Sequence, residues 1–183
     1  MESFTRDNLQ VHCELPHIPW DDENIQKEED LCMSYTGDAS IACWQEISHM
    51  YNSAFENDPE AVFEACQKAP TDEAKYSCYR HAVNTLVQKD NPDSDYFASI
   101  CAPVANDQSQ YEGCVKNVVY SLIYSSYKFA DRVMDFCKSL EPGQQQFCFS
   151  NSARALFNIL PVDRRGDICQ ILPREYQNIC LGN

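Results

Sequence analysis

Residues 66–78 read CQKAPTDEAKYSC, and this stretch decides the fold because its arrangement recurs along the chain. Two cysteines enclose a short polar connection, with an apolar-periodic segment before the first and another after the second. The first cysteines of successive pairs are 34, 35, 36 and 32 residues apart. A period of about 35 residues with two helical segments predicts an all-α fold, an α-solenoid of about four antiparallel helix hairpins. The five pairs are Cys32/Cys43, Cys66/Cys78, Cys101/Cys114, Cys137/Cys148 and Cys169/Cys180.

The bulk properties of the chain exclude several classes of partner. With 183 residues, we expect an irregular lead over residues 1–20 and a single helical-repeat domain over residues 21–183. A formal charge of −14 argues against binding to nucleic acid and to anionic membrane surfaces. No run of apolar residues is long enough to predict a membrane span.

The helices are predicted from the spacing of apolar residues. Counted from the second cysteine of each pair, offsets +4, +5, +8 and +9 are mostly apolar, as in Ala82, Val83, Leu86 and Val87. This spacing forms one face of a helix, which we expect to begin at the second cysteine. A shorter helix precedes each first cysteine, and Asp58-Pro59 is a typical start for one.

The cysteines predict disulfides rather than a metal cluster. The chain has eleven cysteines and no C-x-x-C motif, which favours a disulfide framework in an oxidising compartment, either secreted or periplasmic, or the mitochondrial intermembrane space. Pairing near partners uses ten cysteines and leaves Cys13, which could be a free thiol or form an intermolecular disulfide. Pairing Cys43 with Cys66, and so on, leaves three cysteines unused, so near-partner pairing is favoured.

Each interval between paired cysteines contains a residue that disfavours a continuous helix. A proline in a helix interior costs about 3 kcal/mol, so the intervals are interpreted as connections. This argues against the twin-cysteine helices of mitochondrial intermembrane-space proteins, in which both cysteines lie on one helix. The residues are Gly37, Pro70, Pro103, Pro142 with Gly143, and Pro173.

The period and the cysteine placement over residues 21–182 resemble those of secreted bacterial cysteine-rich repeat proteins of the tetratricopeptide-like superfamily. The family has small residues and Gly in its helices, whereas the segments that begin at the second cysteines here contain no Gly and read CWQEISHMY, CYRHAVNTL, CVKNVVYSL and CFSNSARAL. The resemblance implies antiparallel helix pairs with one disulfide per repeat, and an extracellular binding or adaptor role without shared catalytic residues.

The candidate binding residues lie at offsets +3 and +6 from the second cysteine, on a helix face distinct from the apolar one. Asn, Tyr and Arg at such positions can bind peptide backbones and carboxylates, so we expect a protein or peptide partner. An ordinary solvated surface is the alternative. We call the set the polar surface: His81, Asn84, Asn117, Tyr120, Asn151 and Arg154.

Two other roles remain open at the sequence level. His12, Cys13 and His17 could form a metal-binding or redox centre, and the chain could be a structural subunit of a larger respiratory or surface assembly. The acidic runs Asp21–Glu23 and Glu28–Asp30 are interpreted as a solvated helix face with a favourable helix-dipole position. Since no catalytic motif occurs, the sequence predicts a non-catalytic binding or scaffold module without a cofactor.

Overall fold

The computed structural model describes residues 22–88 and 94–182, and within them the chain is all α-helical, as predicted. Short 3-10 turns follow or precede three of the helices, and no strand occurs in the described ranges. The α-helices are α1 (Asp22–Ser34), α2 (Asp38–Ala54), α3 (Pro59–Cys66), α4 (Asp72–Leu86), α5 (Ser94–Cys101), α6 (Gln108–Ser125), α7 (Ala130–Ser139), α8 (Pro142–Ile159), α9 (Val162–Ile168) and α10 (Arg174–Leu181).

Five disulfides join near partners, which confirms the favoured pairing. Each first cysteine lies in the last turns of a short helix or just after it, and each second cysteine lies inside the helix that follows. The presence of five disulfides indicates an oxidising, extracytosolic environment. The bonds are Cys32–Cys43, Cys66–Cys78, Cys101–Cys114, Cys137–Cys148 and Cys169–Cys180.

The long helices begin before the second cysteine, so the prediction that they start at it was wrong. Helix α4 begins at Asp72, where the hydroxyl of Thr71 accepts a hydrogen bond from the backbone N–H of Ala74 at 3.2 Å. Helix α8 begins at Pro142 itself. A proline in the first turn removes only an N–H that has no partner inside the helix, so this residue starts a helix rather than interrupting one.

The short helix α3 begins as predicted. The carboxylate of Asp58 accepts hydrogen bonds from the backbone N–H groups of Glu60 at 3.0 Å and Ala61 at 3.3 Å, and Pro59 occupies the first helical position. The similar start predicted at Asn91-Pro92 lies outside the described residues.

The predicted apolar face of the long helices forms the core. All four residues at these offsets are buried in α6, and so are the three in α4 and Val87 directly after it; in α2 even the polar Ser48 and Asn52 are buried. Helix α8 departs from the pattern, because Phe157 is 36% exposed and its ring lies 4.2 Å from the guanidinium of Arg165. That contact gives the ring a cation–π partner at the surface.

Neighbouring helices pack in chain order. Each of α2, α4 and α6 contacts the next long helix, and α8 contacts α10, while the short helices α3, α5 and α7 contact one another in sequence. Side-chain hydrogen bonds connect the long helices, for example from Asn52 in α2 to the carbonyl of Ala82 in α4 at 3.1 Å. The solenoid arrangement of these hairpins stays a prediction.

One residue of the acidic run in α1 is buried, contrary to the prediction of a solvated face. Glu29 is 5% exposed and accepts hydrogen bonds from the Tyr51 hydroxyl at 3.0 Å and the Lys68 ammonium at 2.6 Å. Burial, followed by the charge of Glu29, raises the pKa of Tyr51, so its hydroxyl stays a donor. This carboxylate fixes α1 to α2 and to the end of α3.

Candidate functional site

The polar surface begins with a histidine contact between α2 and α4. The Nε2 atom of His81 lies 3.0 Å from the Nε2 atom of His49, and the Nδ1 atom of His49 lies 3.1 Å from the Thr85 hydroxyl. Burial, and then the neighbouring His49, lower the pKa of His81, while Glu46 acts in the opposite direction. The sequence placed His49 at offset +6 but did not predict this contact.

The next members of the polar surface connect α4 to α6 and α6 to α8. The side-chain carbonyl of Asn84 accepts a hydrogen bond from the Ser121 hydroxyl at 2.7 Å. Tyr120 stacks on Tyr124 with ring centroids 5.4 Å apart. The charge of Arg154, in α8, opposes the rise in the pKa of Tyr120 that burial and the neighbouring Tyr124 cause.

Asn151 does not belong to the accessible part of the polar surface. It is 4% exposed, and its side-chain amide donates a hydrogen bond to the carbonyl of Phe147, one turn earlier in α8, at 2.9 Å. The sequence placed this residue with the solvent-facing set because asparagine is polar. An amide that folds back on its own helix satisfies a donor without solvent, so it can be buried.

A cleft lies beside the polar surface, between α3, α4 and α6, and encloses about 150 Å³. Phe63 and Tyr79 contribute apolar surface, with their rings 5.1 Å apart in an edge-to-face contact. The buried Tyr79 donates a hydrogen bond from its hydroxyl to the carbonyl of Ile100, which fixes the position of its ring. Gly113 of α6 leaves room for the Tyr76 hydroxyl, which would lie 2.6 Å from a Cβ atom at that position.

Two cations, three amides including Gln67, and the carboxylate of Asp72 line the same cleft. Lys75 and Arg80 come from α4, and Gln110 and Asn117 come from α6. Lys75 forms an exposed ion pair with Asp72 at 3.4 Å, whereas Arg80 forms no ion pair with any residue of the described ranges. Guanidinium and ammonium groups beside amide donors can bind a carboxylate and the backbone carbonyls of a peptide.

Asn117 is therefore the member of the polar surface that the structure places in the cleft. Lys75, Tyr76 and Arg80, which lie at offsets −3, −2 and +2 from Cys78, were not predicted from the sequence. A helix-period plot that included the turn before Cys78 would have placed them on one side of α4. The assumption that α4 begins at Cys78 excluded two of these residues.

The structure also bears on metals and membranes. Within the described ranges, no three His, Cys, Asp or Glu side chains are grouped so as to hold a metal ion. His12, Cys13 and His17, the residues of the alternative metal or redox centre, lie outside those ranges. Among the described helices, none combines the length and apolar character needed to cross a bilayer.

Comparisons with protein-family models, with curated proteins and with solved structures found no match for this chain. The resemblance to tetratricopeptide-like cysteine-rich repeats therefore stays an expectation from cysteine placement and period.

Proposed function

We propose that this chain is a non-catalytic binding module of a secreted or periplasmic setting, and that the cleft between α3, α4 and α6 binds a peptide segment that carries a carboxylate. The observation that carries the proposal is the convergence of Lys75 and Arg80 in one cleft of a protein with a formal charge of −14. The carboxylate belongs to an acidic side chain or to the C-terminus of a partner.

The cleft offers different contacts to the different parts of such a peptide. Arg80, which has no carboxylate partner in the described part of the chain, takes the anionic group. The amides of Gln110 and Asn117 face it from α6 and can bond the peptide backbone, while Phe63 and Tyr79 contact an apolar side chain. Screening limits the repulsion from the rest of the acidic surface to about 8–10 Å, so the local cations control binding at contact distance.

The neighbouring polar surface extends the contact area for a partner protein. Asn84, Tyr120 and Arg154 continue from α4 to α8 and are at least partly accessible. Tyr120 and Tyr124 add a stacked aromatic pair, and the Lys116 ammonium lies 5.7 Å from the centroid of the Tyr120 ring. Aromatic side chains are frequent anchors in protein interfaces because they bury a large area with few rotatable bonds.

The test uses peptides selected by display against the oxidised protein, each then synthesised with a free and an amidated C-terminus. Fluorescence polarisation measures their affinity for the wild type and for the double variant Lys75→Glu, Arg80→Glu. We expect the selected peptides to contain a carboxylate and the double variant to bind them at least about tenfold more weakly, since it replaces attraction by repulsion. Loss of binding on amidation would identify the C-terminus as the anion.

The matched control is Lys128→Glu, Lys138→Glu, which makes the same change in net charge at exposed positions of the segment that leads into and through α7. We expect this variant to retain peptide affinity to within about twofold at physiological salt, because screening weakens distant surface charges. If both double variants lost peptide affinity equally, the loss would result from net charge alone and not from the cleft. If both retained peptide affinity, the cleft would not be the binding site.

A further inference from the structure

The imidazoles of His49 and His81 face each other with both Nε2 atoms directed into the contact between α2 and α4. The two nitrogens are 3.0 Å apart, the ring centroids are 4.8 Å apart, and the ring planes are inclined by 83°. His49 is exposed and His81 is partly exposed, so an ion from solvent can reach the pair.

Both distances fit two nitrogen ligands on one metal ion. For metal–nitrogen bonds of about 2.05 Å, a nitrogen separation of 3.0 Å corresponds to a nitrogen–metal–nitrogen angle of roughly 94°. With each ring centroid about 1.15 Å behind its nitrogen, a centroid separation of 4.8 Å gives roughly 97°. Both separations are therefore compatible with one ion bound to the two nitrogens.

A further contact orients one of the ligands. The Nδ1 atom of His49 lies 3.1 Å from the Thr85 hydroxyl, which belongs to α4 like His81. Metal-binding histidines use such a bond at the second nitrogen to fix the tautomer and the ring orientation. Donation from Nδ1–H of His49 to Thr85 leaves the lone pair of its Nε2 directed at the ion position.

One carboxylate and one cation act on His81, and no thiolate of the described residues competes with the imidazoles for an ion. Glu46 lies one turn before His49 in α2, on the side from which its charge reaches His81. Arg80 is the cation that acts on His81 from α4. All cysteines of the described residues are held in disulfides and provide no thiolate.

We propose that His49 and His81 form a bidentate site for a divalent transition metal, with Cu²⁺ preferred, through their two Nε2 atoms. An angle near 90° suits the tetragonal coordination of Cu²⁺ better than the tetrahedral coordination of Zn²⁺, and Cu²⁺ has the highest affinity for nitrogen sites in the divalent series. Water or a partner's side chain completes the coordination. This site lies between α2 and α4, whereas the peptide cleft lies between α3, α4 and α6. The metal proposal does not depend on the proposed function.

Binding requires one proton to move. In the metal-free protein the 3.0 Å contact holds one N–H between the two Nε2 atoms. With His49 protonated at Nδ1, that proton belongs to Nε2 of His81, and it moves to Nδ1 of the same ring when the ion takes the lone pair. The pair thus stays neutral, and no redox step is involved.

The test titrates Cu²⁺ into the full oxidised chain by calorimetry and records the electron paramagnetic resonance spectrum at one equivalent. All variants carry Cys13→Ser, which removes the thiol predicted to be free and its reaction with Cu²⁺. We expect one ion with hyperfine splitting from two nitrogens, and an affinity at least about tenfold lower in His81→Gln. Since the chain has four histidines, His12→Ala, His17→Ala is the matched control and should keep both readouts.

Thr85→Val tests the orienting contact, with the neighbouring Asn84→Ala as its control. We expect about tenfold weaker Cu²⁺ binding in Thr85→Val and unchanged binding in Asn84→Ala, whose partner is Ser121. Circular dichroism should show the same helicity for all variants. Retention of the two-nitrogen spectrum in His81→Gln, or its loss in the His12, His17 variant, would overturn the assignment, and so would the absence of copper binding in the parent chain. Unchanged affinity in Thr85→Val would overturn the role of Thr85.

Discussion

At the scale of single residues, two acidic side chains of helix α1 differ sharply in environment, because the carboxylate of Glu29 is buried and that of Glu23 is exposed. Glu23 and Glu29 both lie in α1, and each is bonded to a lysine. Glu23 and Lys27 form a solvent-exposed ion pair at 2.8 Å. Glu29 is buried and, besides its ion pair with Lys68, accepts a hydrogen bond from the Tyr51 hydroxyl. Exposed ion pairs contribute at most about 1 kcal/mol, but bonds to a buried charge contribute more.

We therefore expect Glu29→Gln to lower the free energy of unfolding by about 1–3 kcal/mol, because Lys68 loses its ion pair and the Tyr51 hydroxyl then bonds a neutral acceptor. Chemical denaturation followed by circular dichroism measures the effect. The matched control Glu23→Gln should change stability by less than about 0.5 kcal/mol. Equal effects of the two substitutions would mean that Glu29 does not fix α1 to its neighbours.

The solvent exposure of individual residues was the property that the sequence predicted least well. The apolar periodicity correctly predicted that Ala82 and Leu86 lie on the buried face of α4, since these side chains have no polar group that needs a hydrogen-bond partner. It failed for Glu29 and Asn151, which are polar yet buried, because each finds its bonding partners within the protein. Polarity predicts exposure only where no internal partner exists, and such partners are a property of the tertiary structure.

At the scale of helices, the caps explain where each element begins. Asp58 could be predicted as a helix start because aspartate is favoured at the N-cap and proline is favoured at the position that follows it. Pro142 was correctly predicted to prevent one continuous helix from Cys137 to Cys148, since α7 ends at Ser139, but the sequence did not show that this proline is the first residue of α8. The earlier start of α4 in turn brings Lys75 and Tyr76 into the cleft.

The cap of α3 provides the test at this scale. Asp58→Ala removes the acceptor of two backbone N–H groups, and we expect it to cost about 1 kcal/mol of stability. Thermal and chemical unfolding measure the loss. Asp135→Ala, in the exposed interior of α7, is the control, since its ion pair with Lys138 at 3.2 Å lies in solvent. A cost for Asp58→Ala no larger than for this control would contradict the capping role.

At the scale of the whole molecule, the cysteine period was sufficient to predict the class of fold and the disulfides. It was not sufficient to predict which side chains of neighbouring helices meet, because that depends on how α2, α4 and α6 are rotated about their axes. The contact of His49 with His81 and the convergence of Lys75 with Arg80 are results of this rotation. Both proposed sites therefore come from the structure rather than from the period.

Each disulfide links a short helix, or the turn that follows it, to the next helix along the chain. Helices of eight residues such as α3 and α5 are marginal in water without packing. Each bridge closes a loop with a sequence separation of 11 to 13 residues, for which the chain-entropy model gives about 3 kcal/mol. The near-partner disulfides therefore hold the short helices of this chain in place.

Peptide mapping without reduction tests that claim most directly. After free thiols are blocked, trypsin and an aspartate-specific protease can cut between the two cysteines of every pair and between successive pairs, so each bridge yields its own linked peptides. We expect mass spectrometry to find the five near-partner links, and a peptide joining Cys43 to Cys66, or Cys78 to Cys101, would contradict the account. Cleavage sites within the pairs are Asp38, Lys68, Asp107, Lys138 and Arg174, and those between pairs are Asp58, Arg80, Lys116 and Arg154.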